Sequence, residues 1–182
     1  MSYWNQKSQY GWSVQLFHLL GVILFLPQLI GGFFLESFSK PFAKTAFMWH
    51  KGIGVVLFWI VLLRLINRFM QPTQPRVRGV GRSAMLSHWT IMCLLVLIFL
   101  MPLTGWVMSS AAGRLPWLPV LGYVSFPVFK SKLIAGIFHD AHIICAYLTA
   151  AILLSHVSIV VYNYMRGVKL YQSIIAFLLP QK

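Results

Sequence analysis

Charge is what this 182-residue chain has least of: only 9% of its residues are charged, and just two of those, Glu36 and Asp140, are acids. That scarcity, set against 59% hydrophobic residues and a mean hydropathy of +0.77, excludes an ordinary soluble domain. Cysteine is scarce too. Cys93 and Cys145 stand in separate apolar stretches, with neither a C-x-x-C-H attachment motif nor a metal-binding spacing. They read as small buried hydrophobes, so any cofactor is held non-covalently. No alternating ten-residue pattern recurs, which excludes a transmembrane β-barrel. No repeat, low-complexity tract or linker divides residues 1–182, which leaves one domain.

What the chain does have is long apolar runs, four of them, at about 12–35, 47–65, 86–108 and 133–161. Each is long enough to cross a bilayer, which takes about 20 helical residues. Pro27 and Pro102 fall inside two of them; membrane helices tolerate proline because neighbouring groups satisfy the freed carbonyl. The expected fold is an all-α membrane protein, a four-transmembrane-helix bundle. The first run is too long for a signal-peptide core and has no small-x-small cleavage site after it, so an uncleaved first helix is expected. Residues 111–131, rich in Gly, Pro and aromatics, are expected to fold over the outer helix ends with Trp117 and Tyr123 at the interface. The stretch at about 168–179 reads as a short amphipathic helix on the inner surface, and the Gln71–Pro75 segment as a stiff, extended connection.

The positive charges set orientation. Arg64, Arg68, Arg76, Arg78 and Arg82 lie between the second and third runs, and Lys7, Arg166, Lys169 and Lys182 lie near the ends, making nine. The other side carries six, Lys40, Lys44, Lys51, Arg114, Lys130 and Lys132, offset by Glu36 and Asp140. The positive-inside rule therefore puts both termini in the cytoplasm. The basic balance belongs to membrane topology, and no nucleic-acid partner is expected.

Four histidines carry the functional reading. His142 and His156 are fourteen residues apart in the last run. At about 100° per residue they share a helical face, about 21 Å apart along it. His18 lies about two turns into the first helix, at the inner depth of His156; His50 begins the second helix at the outer depth of His142. Unpaired imidazoles are costly in hydrocarbon. Two depth-matched pairs, His18 with His156 and His50 with His142, fit two stacked, bis-histidine b-type haems. Gly52 and Gly54, within a turn of His50, would let a flat macrocycle approach the helix, and Gly21 in helix one would serve the inner haem likewise. Arg64, fourteen residues after His50, projects at the inner haem's depth, where a guanidinium can hold a propionate. His139, beside Asp140, reads as a solvated surface residue. His88 is either a proton donor at a quinone site or an interfacial anchor beside Trp89.

Over nearly its whole length the chain resembles the prokaryotic cytochrome b561 family of small di-haem inner-membrane cytochromes. The features that carry this are Phe17-His18, His50 with Arg64 fourteen residues on, Pro72-Thr73-Gln74-Pro75, His88, Pro102-x-x-Gly105 and the His142 to His156 spacing. The resemblance implies His18, His50, His142 and His156 as the haem ligands. Some members oxidise superoxide and pass the electron to ubiquinone; others are known only as membrane electron carriers. A histidine pair that some members carry one to two turns after the last ligand is absent, with Tyr162 and Asn163 near that place. The expected function is superoxide:ubiquinone oxidoreduction in the bacterial inner membrane, from periplasm to cytoplasmic side, using two haems b. Lys51, Lys130 and Lys132 would steer superoxide, because the outer face carries a net excess of four positive charges. Membrane lipid, quinone and superoxide or another small donor are the expected partners, with no obligate protein partner. Two other readings stay open. One is a haem subunit passing electrons between a dehydrogenase or hydrogenase and the quinone pool. The other is a transport or structural protein whose histidines line a polar path.

Overall fold

The computed structural model of the chain describes residues 2–6, 10–73 and 82–166. The surface helix expected over 168–179 lies outside them. Four helices follow in order: α1 (Trp12–Phe34), α2 (Lys40–Met70), α3 (Arg82–Ala111) and α4 (Lys132–Met165). All four are long and apolar enough to span a membrane, as the composition requires. A 3₁₀ turn over Leu35–Ser37 links α1 to α2, and two short strands, β1 (Trp117–Leu118) and β2 (Gly122–Tyr123), pair antiparallel in the α3–α4 loop.

Hydropathy delimits α2 too narrowly. It extends past the 47–65 run at both ends to 31 residues, which is about 46 Å of helix against a hydrocarbon layer of about 30 Å. Lys40, Lys44, Arg64 and Arg68 interrupt the apolar run without interrupting the helix, because long basic side chains favour helix and extend toward the interface. Pro41 suits the first turn, where no backbone donor is needed. At α4 the Ser131 hydroxyl caps the start by accepting from the Ile134 amide.

α4 packs its backbone closely along α3, α1 along α2, and α2 along α3. Across the remaining gap α4 meets α1 through side chains: Leu29, Met101 and Cys145 form a buried cluster joined by Phe25, Leu97 and Leu153. Val55, Leu57 and Val61 of α2 are buried as well, while many large apolar side chains face outward, as a lipid-facing surface demands.

The α3–α4 loop does fold over the helices, and its seat is specific. The Trp117 carbonyl lies 2.6 Å from where a Cβ on Gly52 would be, and Trp49 meets Trp117 edge-on. Lys51 Nζ donates to the Arg114 carbonyl (3.2 Å), the Phe126 amide to Ser110 Oγ (2.9 Å), and Ser109 Oγ to the Arg114 carbonyl.

At the opposite end a buried polar knot ties the N-terminal segment to the end of α2. The Asn5 amide donates to Gln71 Oε1 (2.7 Å), and Gln71 Nε2 donates to Ser13 Oγ (3.3 Å) and Asn67 Oδ1 (3.2 Å). Asn5 Nδ2 donates to the Thr73 carbonyl (3.0 Å), and Asn5 Oδ1 accepts from the Gly11 amide (2.8 Å). A Cβ on Gly11 would sit 2.2 Å from the Tyr3 carbonyl, so this position requires glycine. Removing one partner from such a network leaves the others buried and unpaired, at a cost of about 1–3 kcal/mol. Gln71→Ala should therefore lower the melting temperature in detergent by about 2–4 °C per kcal/mol lost. An unchanged melting curve would mean that the knot is not closed in the membrane protein.

Candidate cofactor site

The His50 and His142 rings face each other across the bundle, their centroids 6.4 Å apart and their planes at 84°. Two imidazoles that each place a nitrogen about 2 Å from one metal ion have ring centres about 6 Å apart. The pair is thus spaced to flank a single metal. Among the described residues no cluster of three or more His, Cys, Asp or Glu is placed to hold a metal ion. A metal held between these rings would need its remaining ligands from a cofactor, as the iron of a haem does.

The protonation of His142 follows from its neighbours. Its Nδ1 lies 3.0 Å from the Met101 carbonyl and 3.2 Å from Thr104 Oγ1. The Thr104 hydroxyl proton is directed to the Leu100 and Met101 carbonyls (2.9 Å each), so its lone pair faces the ring. With two acceptors around Nδ1, that nitrogen carries the proton and Nε2 is left bare, the arrangement that a metal-binding histidine commonly adopts. The ring needs Gly105 to reach this seat: a Cβ there would lie 3.0 Å from His142 Cε1 and 3.2 Å from Nδ1. On the other side of the pair, a Cβ on Gly32 would lie 3.2 Å from His50 Cε1.

For the other pair, His18 and His156 are close enough to interact electrostatically, and Arg64 is near enough to act on both. A Cβ on Gly21 would stand 3.3 Å from Arg64 Nη1, so this glycine makes room for the guanidinium. His18 Nδ1 is buried with no hydrogen-bond partner among the described residues, as are Gln28 Oε1, Trp106 Nε1 and Thr149 Oγ1. Gln28 stands four residues before Gly32, Trp106 follows Gly105, and Thr149 is seven residues from both His142 and His156. These orphaned polar atoms on the histidine-bearing stretches fit a flat group with polar edges.

The other sequence candidates fall as follows. Gly52 is occupied by the outer loop: its missing side chain admits the Trp117 carbonyl, so the expectation that it opens the helix to a macrocycle is corrected. Gly54 has open space around it, with no atom within 4 Å of an added Cβ. Lys51, Arg114 and Lys130 gather at one turn. Lys51 tethers the Arg114 carbonyl, and the Lys130 stem runs 3.7 Å from a Cβ built on Gly113. Lys130 and Lys132 are exposed. His139 is exposed beside Asp140 (3.3 Å), away from both pairs. His88 is exposed and edge-on to Trp89, with ring centroids 5.9 Å apart. Near the inner end of α4, Asn163 is buried and Tyr162 lies under the Arg166 guanidinium at 5.4 Å.

Sequence reasoning missed Met101, Thr104 and Gly32. Pro102-x-x-Gly105 was the visible signal for the first two, but nothing along one helix says which residue of another helix it serves.

No curated protein matches the chain. The family model described as prokaryotic cytochrome b561 matches residues 9–175, and the protein therefore belongs to that family of transmembrane, b-type haem electron-transfer cytochromes.

Proposed function

We propose that this cytochrome takes electrons from superoxide at its outer face and delivers them to ubiquinone at its inner side, in a bacterial inner membrane with both termini cytoplasmic. The observation that carries the reading is the facing His50–His142 pair with Nδ1 of His142 already committed to α3. His50 and His142 would hold one haem b, and His18 and His156 a second. A haem held by such a pair of imidazoles would supply a one-electron carrier.

The chain's own residues account for the rest. Two superoxide ions each lose one electron and leave as dioxygen; ubiquinone gains the two electrons and two protons from the inner side. Exposed Lys130, Lys132 and Arg114 create a positive outer rim, and Lys51 holds the loop bearing Arg114 in place. Such a rim raises the encounter rate of a small anion, an effect that weakens with salt. Arg64, whose guanidinium lies against Gly21 one turn from His18, would pair with a carboxylate of the inner cofactor. His88, exposed at the start of α3, is the candidate proton donor to the quinone.

Stopped-flow mixing of the oxidised, haem-loaded protein with superoxide tests the proposal. Reduction should be fast, slow as ionic strength rises, and weaken when Lys130 and Lys132 are replaced together by glutamine. Slow, salt-independent reduction would point instead to a haem subunit fed by a protein partner, which a pull-down would recover.

A further inference from the structure

The two histidine pairs differ in what surrounds them. In the outer pair, Nδ1 of His142 donates to the Met101 carbonyl at 3.0 Å and faces Thr104 Oγ1 at 3.2 Å. In the inner pair, His18 Nδ1 is buried without a partner among the described residues, and Arg64 Nη1 stands 3.3 Å from a Cβ built on Gly21, one turn along α1 from His18. Both differences act on a bound metal with the same sign. An imidazole whose N–H is held by acceptors is a more basic, more electron-rich ligand, and it favours the oxidised metal. A ligand lacking that hydrogen bond donates less. A guanidinium beside it favours the state with one positive charge fewer, directly or by neutralising a propionate. Lys51 follows His50 in sequence, but its ammonium turns to the Arg114 carbonyl at the outer surface, where water and salt screen it.

We infer that Thr104 and the Met101 carbonyl, acting through His142, together with Arg64 at the other end, set the His18–His156 site at a higher reduction potential than the His50–His142 site. Electron flow from the outer to the inner end is then downhill within the chain. The inference rests on reading these histidines as two haem-ligand pairs. Thr104 is a positioning residue: it touches the ligand and not the cofactor. Pro102 and Gly105 bracket it in the same turn of α3, so the Pro102-x-x-Gly105 element forms the seat of His142.

Potentiometric titration of the purified, haem-loaded full chain, followed by haem absorbance, tests this. Two one-electron components should resolve. His142→Ala should leave only the component of higher potential. Thr104→Val, which keeps the shape and removes the acceptor, should raise only the lower component. The change in its reduced-to-oxidised ratio should be about threefold to tenfold, the scale of one hydrogen bond; tenfold is about 59 mV for one electron. Thr104→Ser should restore the original value. A Thr104→Val protein with both components unmoved, or with the upper one shifted, would overturn the inference. So would a His142→Ala protein whose single surviving haem titrates at the lower potential, although the ligand pairs would then still stand. If His142→Ala kept both haems, the pairing itself would fall, and the inference with it.

Discussion

Replacing His142 with alanine should reduce the haem content of the purified protein from two per chain to one. A bis-histidine site that loses one imidazole loses a metal–nitrogen bond and a ring that the protein has already oriented through Nδ1. The remaining cofactor should belong to the inner site, because His156 lies about four helical turns from His142 along α4 and the His18–His156 pair shares no ligand with the outer pair. His18→Ala should give the complementary result, with the outer cofactor retained. A pyridine haemochrome assay against protein concentration measures both. Full loading after either substitution, or one haem in the parent protein, would dissolve the pairing of His50 with His142 and His18 with His156.

Gly105→Ala is expected to act in two directions at once. Within a helix, alanine is favoured over glycine by about 1 kcal/mol, so the α3 backbone gains. The added Cβ, however, meets His142 Cε1 at 3.0 Å and Nδ1 at 3.2 Å. The ring must give by a few tenths of an ångström, at the expense of the Nδ1 contacts with the Met101 carbonyl and Thr104. The outer haem should be weakened or lost while the helix content by circular dichroism stays at or above the parent value. Gly54→Ala is the contrast: nothing lies within 4 Å of its Cβ, so the fold alone would tolerate it. Any haem loss in that variant would come from the cofactor's own contact with α2. A Gly105→Ala protein with both haems intact and unaltered spectra would show that the seat has slack which the 3.0 Å contact does not express.

The histidine pairs were legible in the sequence for a specific reason. Fourteen residues separate His142 from His156, and the covalent geometry of a helix fixes their common face without reference to any other element. Four apolar runs alternating in direction then fix the depth of every residue, which matched His50 to His142 before any contact was visible. The same depth logic put Arg64 at the level of the inner pair, where it is found against Gly21. The glycines near His50 failed the same reading at one position. Gly52 has the small residue's usual meaning of close approach, but the approaching group is the Trp117 carbonyl of a loop 65 residues later.

Sequence alone determined the membrane class, the four helices and the common face of His142 and His156, because those depend on periodicity and hydropathy within single segments. The tertiary structure decided what depends on how helices rotate and slide against one another. It gave Met101 and Thr104 to His142, left His18 Nδ1 unpartnered among the described residues, seated Gly32 under His50 and assigned Gly52 to the outer loop. It also closed the Asn5–Gln71 knot across 66 residues of chain. A residue's helical phase is set by bonds along its own backbone, whereas its partner on another helix is set by packing, and two helices of fixed depth still have their rotation to choose.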